Sequence, residues 1–156
     1  TDWPAALTRH AQVLAEGEDV QSLADCLHAA SILDRTDASL RDAAIQAALA
    51  IGDERAVEYL IADAEASGRD AGDLAAARAQ LAFAREDFAL CVQEFEQAVQ
   101  RSPTDAHLLN DLGVASYRAG QLERAQQAFD RALAIDPAHS DARANRAALA
   151  PVTAPA

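Results

Sequence analysis

The sequence predicts an all-α fold built from short helices that pair in antiparallel hairpins. Three observations lead to this prediction: apolar residues recur at helical spacing, Gly and Pro interrupt them at short intervals, and one pattern returns about every 34 residues. Composition agrees, because aromatic residues make up only 4% of the chain and Ala is abundant. Ala favours helices, whereas aromatic and β-branched residues favour strands.

The interruptions set the predicted helix ends. Gly17, Gly52 and Gly120 mark sharp turns, and Pro103 and Pro137 prevent helices from continuing. The segments between them are too short for a coiled coil. In chain order, helices are predicted near 3–15, 19–34, 38–50, 53–66, 72–85, 87–101, 105–118, 121–135 and 140–149.

Acidic and hydroxyl side chains stand where these helices are predicted to begin. A short side-chain oxygen there accepts a hydrogen bond from the first turn, and negative charge complements the helix dipole. The acidic pairs at 53–54 and 86–87 are therefore assigned to helix starts rather than to acid–base catalysis. The candidate N-caps are Asp37, Asp105 and either Ser140 or Asp141.

An internal repeat connects the hairpins. Ala132, Ala98, Ala64 and Ala29 are separated by 34, 34 and 35 residues (132 − 98, 98 − 64 and 64 − 29). Small residues let paired helices approach closely, while bulky residues fill the gap between one hairpin and the next. A hairpin with two apolar faces must stack on its neighbours. Three residues before each Ala stand Phe129, Phe95, Ile61 and Cys26.

The repeat divides the chain into units. We expect one repeat domain over residues 1–150 and a tail or linker at 151–156. The start at Thr1 leads us to expect a fragment of a larger protein, and the compartment stays open. The units are 3–37, 38–71, 72–105 and 106–139, followed by a capping helix at 140–149.

The last full unit, 106–139, combines small and bulky residues in a recognisable order. In chain order these are Leu109, Leu112, Gly113, Ala125, Phe129, Ala132 and Pro137. They occupy the consensus positions of the tetratricopeptide repeat, which this unit resembles, with Ser116 where an aromatic residue is usual. The unit at 72–105 matches less closely, and 140–149 resembles the first helix of a further unit. The resemblance implies a right-handed superhelical solenoid of four antiparallel hairpins plus a C-terminal capping helix.

The same resemblance implies that the first helices of the units line a concave groove that binds peptides. Apolar side chains in one row would supply burial, and amides one turn away would bond a peptide backbone. The alternative is that these side chains pack against neighbouring helices. The candidate groove residues are Leu49, Phe83, Tyr117, Gln46, Gln80, Asn110, Arg118 and Val114.

Charge narrows the choice of partners. The chain carries 13 − 25 = −12 formal charges, of which 5 Arg and 14 acids through Asp70 account for −9. Nucleic acids and anionic membranes need basic clusters, which are missing here, and no apolar run approaches the roughly 20 residues of a membrane span. Members of the family that clamp a carboxylate tail use Lys, Arg and Asn at set groove positions. Those positions bear Asp42, Ala76 and Asp111 here, and only Asn110, Arg118 and Asn145 are of the right kind, so this binding mode is not expected. We expect a neutral or cationic protein or peptide.

No sequence motif indicates catalysis, a cofactor or a metal site. The four histidines are scattered over different units, and Cys26 and Cys91 occupy packing positions typical of buried structural thiols. The leading hypothesis is a non-catalytic interaction module. The alternatives are an accessory substrate-positioning domain of a larger transferase-type enzyme, or a self-association module.

Overall fold

A computed structural model describes residues 20–33 and 37–149, and all regular structure within these ranges is helical. A short 3-10 helix, Ala71–Leu74, leads directly into the fourth α-helix. The predicted helix at 3–15 and the tail at 151–156 lie outside the described residues. The α-helices are α1 (Val20–Leu33), α2 (Ala38–Ile51), α3 (Glu54–Ala66), α4 (Ala75–Ala84), α5 (Phe88–Arg101), α6 (Ala106–Arg118), α7 (Leu122–Ile135) and α8 (Ser140–Ala148).

The predicted positions of the described helices are confirmed, with one difference at 72–85. There the first turn is the 3-10 helix rather than α-helix. The Asp70 carboxylate accepts a hydrogen bond from the backbone N of Gly72 at 2.7 Å. This bond turns the chain within two residues and makes the entry into α4 tighter than an α-helical start.

Asp side chains cap the helices at four of the predicted starts. The caps predicted at Asp37 and Asp105 are confirmed. The prediction for α8 is wrong, because the cap is His139, whose Nδ1 accepts from the backbone N of Ala142 at 3.3 Å. The helix begins at residue 140, so the preceding residue has the cap position. Asp37, Asp53, Asp87 and Asp105 each accept from the backbone N three residues later, at 3.0, 3.0, 3.1 and 3.1 Å.

The helices divide into two compact units, one extending to Leu81 and the other beginning at Ala82. In the first unit, α2 packs against α1 and α3. In the second unit, α6 packs against α5 and α7, and α8 packs against α7 and α6. The most deeply buried large side chains are Ile45, Val57, Leu60 and Leu74 in the first unit and Cys91, Leu109 and Phe129 in the second.

Three of the four Ala positions singled out by the repeat are core positions. Ala64, Ala98 and Ala132 are buried, whereas Ala29 is half-buried. The bulky residues three positions earlier are buried as well, and this confirms the predicted alternation of small and large side chains. These bulky residues are Cys26, Ile61, Phe95 and Phe129.

Three turns between paired helices have the same backbone conformation, although only two of them contain Gly. Gly52 and Gly120 have φ of 74° and 75°, and Glu86 has φ of 58°. At each turn this residue donates its N–H to the carbonyl three residues earlier, at 3.1, 3.0 and 3.0 Å. The left-handed region is open to Gly but costs other L-residues free energy.

Glu86→Gly is therefore expected to raise the free energy of unfolding by about 1 kcal/mol, because the turn keeps its shape and loses the steric cost of a Cβ. Urea unfolding followed by circular dichroism measures the change. Glu86→Ala is the control, since it removes the carboxylate and keeps the Cβ. An equal gain in both variants would assign the effect to the charge and contradict this explanation.

Candidate functional site

The eight candidate groove residues are divided between the two units. Gln46 on α2 is exposed, and Leu49 one turn later is half-buried against the core of the first unit. Gln80 on α4 is half-buried, and its Oε1 is enclosed without a hydrogen-bond partner among the described residues. Among the three candidate residues of the first unit, Gln46 is therefore the most exposed. Phe83, Asn110, Val114, Tyr117 and Arg118 lie in the second unit.

Phe83 and Arg118 are in direct contact. The Phe83 ring meets the Phe88 ring edge to face, with 5.5 Å between centroids and 72° between planes. The Arg118 guanidinium carbon lies 5.3 Å from the centroid of Phe83 and 4.5 Å from that of Phe88. Phe88 was not among the sequence-based candidates. The residues that occupy the same position in the preceding and following repeats are Glu54 and Leu122. Neither is aromatic, so the repeat pattern did not indicate an aromatic residue at position 88.

Tyr117 and Val114 line a mainly apolar pocket between α6, α7 and α8. Tyr117 is 53% exposed, so its ring is available to a ligand at the pocket edge. The polar groups in the lining are the Asn145 amide and the Tyr117 hydroxyl. The complete lining is Val114, Tyr117, Phe129, Asn145, Ala148 and Leu149.

Asn110 connects α6 to α8. It is 8% exposed, and its Oδ1 accepts from Asn145 Nδ2 at 2.9 Å. Its Nδ2 lies 3.4 Å from Asp111 Oδ1. Burial is the main reason that the pKa of Asp111 is raised, against the lowering effect of this Asn110 bond. Asn110 therefore positions Asn145, and Asn145 is the amide that reaches the pocket.

A histidine pair forms a second link between these helices. The sequence interpretation treated the histidines as scattered, but His107 Nδ1 and His139 Nε2 are 3.1 Å apart. Because Nδ1 of His139 accepts from the backbone of Ala142, its Nε2 carries the proton and donates to His107 in the neutral state. The two residues are 32 apart and both stand near the start of a first helix, so their similar places in successive units were the available signal.

Both cysteines are buried thiols, as predicted. Burial, with smaller contributions from Asp111 and Asp87, raises the pKa of Cys91 to about 11. A thiol in this state holds its proton at neutral pH and is a poor nucleophile. Within the described ranges, no three His, Cys, Asp or Glu side chains are grouped as metal ligands.

None of the helices in residues 20–33 and 37–149 combines the length and apolar character needed to cross a membrane.

Helical hairpins with small residues at the helix contacts and bulky residues between hairpins define a helical repeat protein. Residues 106–139, which comprise α6, α7 and the turn after them, match the tetratricopeptide repeat family. The predicted resemblance to this family is confirmed, and so is the all-α fold of paired helices. The comparison with curated proteins found no match.

Several solved structures share this fold. MamA (41-end) from Desulfovibrio magneticus RS-1 is 15% identical, with a TM-score of 0.79 over 96% of this chain and 84% of that chain. Pseudomonas aeruginosa PilF is 14% identical, with a TM-score of 0.75 over 94% of this chain and 67% of that chain. YrrB is 20% identical, with a TM-score of 0.65 over 92% of this chain and 74% of that chain.

Proposed function

We propose that this chain is a non-catalytic protein-interaction module that binds a peptide or an amphipathic helix. The observation that carries the proposal is the exposed Tyr117 ring beside the apolar pocket of the second unit. An exposed aromatic ring at the edge of an apolar pocket is a typical anchor for a partner side chain. YrrB is a TPR protein with an unusual peptide-binding site, and the shared fold supports a similar role here.

The groups around Tyr117 have separate roles in this proposal. Val114 and Leu149 provide apolar contact, and Asn145 provides an amide for the partner backbone. The Asn110 and His139 links hold α6 and α8 together, so the pocket exists before the partner arrives. A preformed pocket reduces the entropy lost on binding.

The partner is neutral or cationic overall. The chain through Asp70 carries a formal charge of −9, and Gln46 adds an exposed amide beside the half-buried Leu49. A strongly acidic surface attracts cationic segments and repels acidic ones.

Tyr117→Ala is expected to weaken peptide binding about 10-fold or more, because truncation removes the most exposed anchor of the pocket. The probe is a peptide enriched on the full chain from a displayed library of random 12-residue peptides. Its Kd is measured by fluorescence polarisation with wild-type and variant protein, at increasing NaCl. Because salt screens the attraction between an acidic protein and a cationic peptide, the Kd should increase as the NaCl concentration rises.

Tyr59→Ala is the matched control, since Tyr59 is a similarly exposed tyrosine, at 49%, on α3 of the first unit. It should leave the Kd unchanged. Equal losses in both variants, or no loss in Tyr117→Ala, would contradict the proposed site. A Kd that decreases as the NaCl concentration rises would contradict the proposal that the partner is neutral or cationic.

A further inference from the structure

The paired histidines of the second unit use both of their free lone pairs as hydrogen-bond acceptors. In the neutral state, His139 Nε2 donates to His107 Nδ1, 3.1 Å away, and His139 Nδ1 accepts from the backbone N of Ala142 at 3.3 Å. The remaining nitrogen, His107 Nε2, carries the proton of its ring. An added proton can therefore enter only at a nitrogen that already accepts a hydrogen bond, and it would place two donors face to face.

These two hydrogen bonds hold the start of α8. The bond from Ala142 caps the helix, and the bond between the rings joins α8 to α6. Further links are the bond from Asn145 Nδ2 to Asn110 Oδ1, at 2.9 Å, and the bond from Arg146 Nε to Asp130 Oδ1 on α7, at 2.6 Å. Since α8 has only nine residues, it is too short to be stable by itself and depends on its cap and its packing.

We propose that His107 and His139 form a pH-sensitive link, which holds α8 against α6 at neutral pH and releases it in mild acid. Imidazole groups take up a proton between about pH 8 and 5. When α8 separates from α6, water replaces both protein partners and the lone pairs accept protons freely. The separated arrangement binds more protons, so its population increases as the pH falls.

Release of α8 would open the apolar pocket. Asn145 and Ala148 of α8 and Leu149 directly after it form half of the pocket lining. Loss of this wall removes apolar contact area from a bound partner, so acid should weaken binding. The inference rests on the proposed function and specifies how binding at that pocket is regulated.

Neighbouring charges set the pH of this response. Carboxylates attract a proton to the rings and arginines repel it, but neither changes which hydrogen bonds the proton breaks. Asp111 on α6 interacts electrostatically with both histidines, and burial raises the pKa of Asp111. The other charged groups near the pair are Arg101, Asp105 and Asp136, which line a polar cavity with His107, and the exposed Asp141 and Arg143 on α8.

Hydrogen exchange of the backbone amides of the full chain, followed by NMR at pH 7.5 and 5.5, measures the release of α8 without a peptide. Protection factors correct for the pH dependence of the exchange reaction itself. Protection of Ala142 and the other α8 amides should fall about 5- to 50-fold at pH 5.5, because each lost hydrogen bond contributes a factor of about 2 to 10. The amides of α2 in the first unit should keep their protection.

Three variants assign the effect to the histidine link. His139→Asn keeps an acceptor at the cap and removes the titratable ring, so α8 protection should be lower at pH 7.5 and change less than about 2-fold with pH. His28→Gln is the matched control, because His28 is a half-buried histidine on α1 of the first unit, and it should respond to acid as wild-type protein does. Asp111→Asn should keep the acid response at a lower pH, since only the attraction of the carboxylate is lost.

Binding is measured with the peptide enriched on the full chain, in a sequence version without His, Asp or Glu that does not itself titrate. Its Kd should rise at least about 3-fold at pH 5.5 with wild-type protein and with His28→Gln, because fewer molecules have a complete pocket. With His139→Asn the Kd should differ less than about 2-fold between the two pH values.

The other outcomes overturn the inference in distinguishable ways. Unchanged α8 protection in acid, or an equal loss in His139→Asn, would show that the histidines are not the sensor. Lost protection with an unchanged Kd would remove the regulation of the pocket. No peptide binding at pH 7.5 would remove the proposed function, and hydrogen exchange would still decide whether the link responds to acid. Circular dichroism at pH 7.5 identifies a variant that has not folded; if this is His139→Asn, an acid response that disappears in Asp111→Asn would overturn the inference.

Discussion

Arg41→Met is expected to lower the free energy of unfolding by about 3 kcal/mol, because it removes the buried cation that lies beside the largely buried Asp63 carboxylate. Arg41 Nη2 lies 3.4 Å from Asp63 Oδ2, and the two side chains are only 4% and 12% exposed. The pair joins α2 to α3 inside the first unit. Replacing the cation with an apolar side chain of similar length keeps the packing and removes the charge.

Two comparisons make this expectation specific. The double variant Arg41→Met, Asp63→Leu should recover most of the lost stability, because it removes both buried charges. Arg69→Met breaks the more exposed ion pair with Asp42, in which Arg69 Nη2 lies 2.9 Å from Asp42 Oδ2, and should cost at most about 1 kcal/mol. Urea unfolding measures all three variants. Similar losses for Arg41→Met and Arg69→Met would show that burial does not determine the effect.

Gly113→Ala is expected to cost about 1–3 kcal/mol of stability through overpacking. A Cβ at position 113 of α6 would lie 2.6 Å from Cδ1 and 2.8 Å from Cζ of the Phe129 ring on α7. Phe129 is 2% exposed and has a rigid ring, which can give way only by shifting as a whole toward the pocket that it lines. The steric cost outweighs the gain of about 1 kcal/mol in helix propensity when Ala replaces Gly.

Phe129→Leu tests whether this contact is the cause. Alone, it should destabilise the protein by leaving space beside Gly113. Combined with Gly113→Ala it should cost less than the sum of the two single changes, because the smaller side chain makes room for the new methyl group. Thermal or urea unfolding is measured for wild-type protein, the two single variants and the double variant, which together form a double-mutant cycle. Strictly additive losses would show that Gly113 is needed for a reason other than contact with Phe129.

The candidate site was predictable in part. The repeat register identified Val114, Tyr117 and Arg118 as positions on the first helix of a unit, and an exposed position for Tyr117 follows from it. It did not identify Phe88, because the stacking of Phe88 on Arg118 joins residues of different hairpins and depends on how α5 and α6 pack. Nor did it identify Asn110 as the residue that positions Asn145.

By itself, the sequence determined the helix positions and most of the caps. These features depend on residues a few positions apart: an Asp three residues before an N–H, a Gly at a left-handed turn, a small residue at each helix contact. The tertiary structure alone decided that Arg41 is paired inside the core, that His107 meets His139, and that Arg118 lies on two rings. The physical reason is that these contacts join side chains from different helices. Their geometry follows from how the helices pack, and the spacing of residues along one helix does not specify it.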